Sequence, residues 1–116
     1  MSVKTTIDME NAAQILKLLS DKRRLSMMRL LQHHECCVCE LVEIYGTSQP
    51  AISQHLRKLR DSGVVKERRK GQWIFYSINK ESEYYEFVSV ILDRLPSQDQ
   101  KLTDLENQGL RINCCE

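Results

Sequence analysis

Residues 49–61 constrain the fold of this chain more than any other segment. Wound at 3.6 residues per turn, Ile52, Leu56 and Leu59 share an apolar face. Gln49, Ser53, Arg57 and Arg60 follow a second, wholly polar face, flanked by Gln54 and Lys58. One face packs and the other is left for solvent or a ligand. Thr47 or Ser48 stands where an N-cap belongs, and Pro50 falls in the first turn, where a missing N–H costs nothing. Upstream, Cys39 to Tyr45 carries Leu41, Val42 and Ile44 as apolar contacts and ends at Gly46, a residue suited to a left-handed turn. Two short helices joined by such a turn, the second presenting amides and hydroxyls followed by arginines, make a helix-turn-helix layout. Gln and Ser side chains hydrogen-bond base edges in the major groove, and Arg57, Lys58 and Arg60 are placed for phosphate oxygens. The expected DNA contacts on this helix are Ser48, Gln49, Ser53, Gln54, His55, Arg57 and Lys58. His55 has an equally good alternative as a buried capping residue.

After Gly63 the pattern changes to strand-like VVKERR, a turn at Lys70-Gly71-Gln72, and the aromatic and β-branched run from Trp73 to Ile78. This predicts a β-hairpin with Arg68, Arg69 and Lys70 at its tip, a basic wing able to follow the DNA backbone or enter the minor groove. Ahead of the helix-turn-helix, Ala12, Ile15, Leu16 and Leu19 predict a first helix between Asp8 and Leu19. Leu25, Met28 and Leu31 predict a second, capped by Ser20 or Asp21 and ending near His33-His34. Behind the hairpin, Tyr84, Phe87, Val88, Ile91, Leu92 and Leu95 form a helical stripe over residues 82–95, stopped by Pro96. A chain this short spends its core on the second to fourth helices, so the stripes of the first helix and of 82–95 are expected to pair with their copies in a homodimer. The fold class expected is mainly α with a β-hairpin wing, a homodimeric winged helix-turn-helix over residues 1–96. A polar tail with a cysteine pair follows over 97–116, in which Leu102 and Leu105 hint at a weak helix before Gly109.

Charge supports this division. Residues 48–80 hold eight basic and two acidic side chains and residues 81–116 three basic and eight acidic, although the whole chain of 116 residues carries only +1. A basic middle third sits well against double-stranded DNA. No apolar run reaches membrane-spanning length, and the N-terminus lacks the basic-then-apolar layout of a signal peptide, so a cytoplasmic protein without a membrane partner is expected.

The five cysteines fall in two clusters, Cys36, Cys37 and Cys39, and Cys114 and Cys115. That is unlike a secreted disulfide framework and suits reduced thiols. Soft thiolates select As(III), Sb(III), Cd(II), Pb(II) or Cu(I) over hard cations. On an ideal helix Cys36 and Cys39 share a face while Cys37 and Cys39 point nearly opposite ways, so a trigonal ligand on all three is expected to unwind the helix start and displace the recognition helix. His33 and His34 are close enough to complete a mixed nitrogen and sulfur site for Zn(II). The C-x-x-C spacing within this cluster raises a dithiol enzyme as a competitor. It lacks the βαβ context of such a centre, and the chain carries no phosphate-cradling glycine loop or catalytic triad. An oxidation-sensing repressor using the same thiols is the better rival.

In SDKRRLSMMRLL, ECCVCEL, SQPAISQHLRKLRDSGVV and ERRKGQWIFYSI the chain resembles the ArsR/SmtB family of metal-sensing winged-helix repressors, and most of all its arsenic-sensing branch. The resemblance spans nearly all residues. It implies a homodimer on a palindromic operator, needing no cofactor to bind DNA and released when a thiophilic ion occupies the cysteines. Residues matching Gln49, Ser53 and Gln54 would approach the groove, and those matching Cys37 and Cys39 would ligate the inducer. The expected inducer is As(III) or Sb(III), with Cd(II) or Pb(II) as the alternative. Arsenic sensors often carry a further cysteine where this chain has Val42. Cys36 is the local substitute for it, and Cys114 or Cys115 the distant one. The paired histidine and carboxylate ligands of the family's zinc sensors have no counterpart in residues 82–95.

Overall fold

The computed structural model describes residues 6–112. In chain order the elements are α1 (Met9–Leu19), α2 (Lys22–Leu31), β1 (Cys36–Cys37), α3 (Val38–Tyr45), α4 (Gln49–Asp61), β2 (Val65–Lys70), β3 (Trp73–Ile78), α5 (Tyr85–Leu92) and α6 (Asp99–Asn107). Caps explain the boundaries. Asp8 accepts the Asn11 N–H at 2.8 Å, and Asp21 accepts those of Arg23 and Arg24 at 2.9 and 3.0 Å. Gly46, at φ 59°, closes α3 in the left-handed conformation, and Ser48 caps α4 through the Ala51 N–H. Stripes from every helix converge on one core, in which Met27, Met28, Leu30, Leu41, Ile52, Leu59 and Leu92 are fully buried.

The sheet has the order β1-β3-β2, all antiparallel. β2 and β3 form the expected hairpin, with Lys70 opposite Trp73 and Gly71, at φ 60°, in the turn. β1 is the unexpected member. Cys36 pairs with Tyr76 and Cys37 with Phe75, so the first two cysteines of this cluster lie on a strand and the third, Cys39, is helical. The helix-face relation expected between Cys36 and Cys39 is therefore absent.

The stripe expected over 82–95 narrows to α5, because turns at Ser82–Tyr85 and at Asp93–Leu95 bound it. Val88 and Leu92 are buried, whereas Val90 is 67% exposed. Beyond residue 96, where a polar tail with a weak helix was expected, α6 lies over α3 and buries Leu102 and Leu105. The Lys101 ammonium sits 5.8 Å from the Tyr45 ring centroid across that contact. No helix among the described residues is long and apolar enough to cross a membrane.

Candidate functional site

The buried Ile52, Leu56 and Leu59 anchor α4 and turn its other face outward, so Gln49, Gln54, Arg57 and Lys58 are exposed and Ser53 half-buried. Ser48 is exposed but engaged as the cap. His55 lies half-buried in the seam with α2, its Nδ1 3.3 Å from Arg24 Nη1. A guanidinium can only donate, so Nδ1 accepts and the ring proton belongs on Nε2. Burial lowers the His55 pKa, the positive charges of Arg24, Arg23 and Lys58 add to this, and Asp21 opposes it. Arg60 is paired with Asp61 and Glu67, each at 3.3 Å. Lys22 and Arg23, exposed at the start of α2, share a cleft with His55 and extend the basic surface beyond α4. Sequence reasoning passed them over because their helix was read only for its apolar stripe.

On the wing, Arg69 is exposed near the tip and Lys70 half-buried. Arg68 is set apart from them. It forks onto Glu35 through Nε at 3.0 Å and Nη2 at 2.9 Å, and its guanidinium lies 5.4 Å from the Phe75 ring centroid. The Arg68 hydrogen bonds hold the Glu35 carboxyl below its usual range. The residue just before the cysteines is thus bound to the wing, across β3.

Cys37 is the N-cap residue of α3, with extended backbone (φ −91°, ψ 167°), and its N–H donates to Glu40 Oε1 at 2.9 Å. That conformation brings its sulfur to 3.0 Å from the sulfur of Cys39, which is exposed in the first turn. The pair expected to point apart on a helix is brought together because the helix begins between its members. Cys39, exposed, and Cys37, buried, line a cleft of about 380 Å³ walled by Val38, Val42, Trp73 and Ile74, with Glu43, Gln49 and Gln72 also lining it. Gln49 is the first residue of α4, and Gln72 and Trp73 belong to the wing.

Cys36, alternating on β1, faces the core instead. Burial, with the Glu40 charge, pushes its thiol up to about 12. Burial likewise raises the Cys37 thiol. His33 and His34 turn to Arg29 and Asp99, at 3.2 and 2.8 Å. Among the described residues no three His, Cys, Asp or Glu side chains converge to hold a metal ion. Cys114 and Cys115 lie outside the described residues.

Glu40 is a further residue that sequence reasoning missed. Fully buried, it spends Oε1 on the Cys37 N–H and Oε2 on Arg111 Nη1 at 2.9 Å and the Ile112 N–H at 2.8 Å. Arg111 also reaches the Glu35 carbonyl at 3.2 Å and the Cys36 sulfur at 3.8 Å. The segment after α6 is thereby clasped to the cysteine turn. A glutamate three residues after the cap was a readable signal; its distant arginine was not.

The profile of the family described as "Bacterial regulatory protein, arsR family" matches residues 21–67. The arsenic resistance transcriptional regulator ArsR2 of Pseudomonas putida is 35% identical over 108 residues, covering 87% of this chain and 94% of that protein. ArsR1 of the same organism is 44% identical over 68 residues, 58% of this chain, which spans about half of that relative's length, 53%. Among solved structures, the transcriptional repressor BigR of Xylella fastidiosa superposes with a TM-score of 0.64 at 36% identity, covering 72% of this chain and 82% of that one. Fold, recognition helix, wing and relatives agree: the chain belongs to the ArsR family of bacterial regulatory proteins and is a winged-helix transcriptional repressor, not an enzyme.

Proposed function

We propose that this repressor binds a double-stranded operator as a homodimer through α1 and α5, and is released when trivalent arsenic or antimony binds the thiols of Cys37 and Cys39. α4 enters the major groove with Gln49, Ser53 and Gln54 at base edges. Arg57, Lys58, Arg69 and Lys70 meet phosphates. The observation that carries this reading is the cysteine cleft itself: two adjacent thiols, one exposed and one buried, line a cavity shared with Gln49 of the recognition helix and Trp73 of the wing. A ligand closing on those sulfurs occupies the junction of both DNA-reading elements. The expected unwinding of the helix start is unnecessary, since Cys37 already lies outside α3; the coupling runs through β1 and the cleft wall. Reciprocity requires the operator to weaken inducer binding by the same factor. The raised thiol pKa is no obstacle, because a neutral metalloid hydroxide takes up the thiol proton as its own leaving water forms.

A third sulfur for inorganic arsenite would come from Cys114 or Cys115, or from Cys36 after it turns out of the core. The arsenic names of the relatives support this choice of inducer over Cd(II) or Pb(II). The 3.0 Å sulfur approach also favours a second reading, thiol oxidation as the signal. Fluorescence anisotropy of the reduced protein on its own upstream DNA, titrated with arsenite, Cd(II), Pb(II) and Zn(II), tests the proposal. Release by arsenite near one equivalent in excess phosphine reductant is expected, and Cys37→Ser or Cys39→Ser should bind DNA yet resist release. Release by a divalent cation alone shifts the inducer to Cd(II) or Pb(II), and release only on oxidation establishes the redox reading.

A further inference from the structure

After α6 the chain returns to the start of the helix-turn-helix. The Leu110 N–H reaches back to the Leu105 carbonyl at 3.1 Å, a turn that ends the helix and delivers Arg111 and Ile112 to α3. There Arg111 Nη1 lies 2.9 Å from Glu40 Oε2, 3.2 Å from the Glu35 carbonyl oxygen and 3.8 Å from the Cys36 sulfur. The Ile112 N–H donates to the same Glu40 oxygen at 2.8 Å. Glu40 Oε1 takes the Cys37 N–H at 2.9 Å, so a fully buried carboxylate joins this segment to the cap of α3. Cys36 is held from two sides, by its strand pairing with Tyr76 and by Arg111, and has no exposed surface, whereas Cys39 is exposed.

We infer that Arg111 and Ile112 form a latch on the helix-turn-helix: closed, it shields the Cys36 thiol and keeps α3 capped; open, it bares that thiol and loosens α3 against the recognition helix. Charge makes the latch two-state. Glu40 stays in the core only while Arg111 neutralises it, because a buried carboxylate stripped of its cation is costly. When the arginine leaves, the carboxylate turns to water, the Cys37 N–H loses its acceptor and the first turn of α3 frays. α3 packs on α4, so the outward face of α4 loses its fixed placement. A Cys36 side chain enlarged by alkylation props the latch open, since Arg111 cannot close over it. Alkylation of Cys36 and operator binding therefore oppose one another through the two states of the latch. The latch does not depend on what the Cys37 and Cys39 pair binds, and so stands apart from the inducer proposed above.

The test is the rate at which iodoacetamide labels each cysteine of the reduced full chain, resolved by peptide mass spectrometry, with amide hydrogen exchange at Cys37 beside it. Labelling exchanges the thiol proton for an S–C bond and expels iodide. Arg111→Ala is expected to speed both Cys36 labelling and Cys37 exchange about tenfold or more, and to leave Cys39 within about twofold. Losing the guanidinium charge would by itself slow alkylation, so a faster rate reports access. Operator DNA should slow Cys36 labelling of the wild type. Because Arg111→Ala also weakens the fold, Glu40→Leu is added to it: the double variant should regain unfolding stability while Cys36 still labels fast. Wild-type Cys36 rates in both variants overturn the inference, since the core alone would then shield the thiol. Labelling of Cys36, Cys37 and Cys39 accelerated together, and restored in the double variant, overturns it in favour of global unfolding. An operator without effect on the Cys36 rate overturns the coupling to DNA.

Discussion

At the scale of single residues, two buried groups set the conditions under which the site exists. Glu40 is a carboxylate with no exposed surface, and Arg111 supplies the charge that makes its burial tolerable. Arg111→Ala leaves that carboxylate with backbone N–H donors only, and we expect a loss of about 3 kcal/mol in denaturant unfolding. Adding Glu40→Leu should recover much of it; an Arg111→Ala variant as stable as the wild type would mean the clasp carries no weight. His55 gives a pH signature. Its folded pKa lies below 6.5, mainly through burial, so below that pH the unfolded chain binds the extra proton first. Stability should therefore fall as the pH drops below about 6.5, and His55→Gln should flatten that limb of the unfolding curve. An unchanged slope in the variant would place the titration elsewhere.

At the scale of elements, the recognition helix and wing were legible because each announces itself locally. Ile52, Leu56 and Leu59 against Gln49, Ser53 and Arg57 make a two-faced helix, and β-branched and aromatic residues flanking Gly71 make a hairpin. β1 was not legible. Two cysteines carry no strand signal of their own, and they become a strand only because β3 offers them an edge. The same holds for α6, whose Leu102 and Leu105 are too few to announce a buried helix until α3 provides the surface. The outward-facing residues of α4 could thus be chosen from spacing, while the pairing of Cys37 with Cys39, and the diversion of Arg68 to Glu35, depend on that strand. The Glu35 fork gives a test of the wing. Glu35→Gln removes the charge that holds Arg68, so operator binding should tighten and log Kd should depend on log salt more steeply, by about one counterion. Arg57→Ala should make the slope shallower. If Glu35→Gln leaves the slope unchanged, Arg68 stays away from phosphate.

At the scale of the whole molecule, charge and apolar surface are segregated. The net basic stretch of residues 48–80 carries α4 and the wing, and the acidic excess of residues 81–116 falls on the chain beyond them. Met9 and Leu16 on α1 and Val90 on α5 remain 89%, 49% and 67% exposed. A groove lined by Ile7, Ala12, Phe87 and Ile91 runs between the two helices. If this surface closes on its copy, Val90→Glu should give a folded monomer by sedimentation and lose most operator affinity, since each half-site would then bind alone. A dimer that survives Val90→Glu would place the interface elsewhere. The sheet order has a consequence for the life of the protein after induction. Within the wing, β3 is paired along one edge by β2 and, among the described residues, along the other by the two residues of β1. A ligand that draws Cys37 off Phe75 bares a strand edge, the kind of backbone that recruits other chains and offers proteases an extended segment. Limited proteolysis of the reduced protein with and without arsenite checks this: faster cleavage near residues 36–37 and 75–76 on arsenite addition is expected, and an unchanged pattern would mean that β1 stays paired.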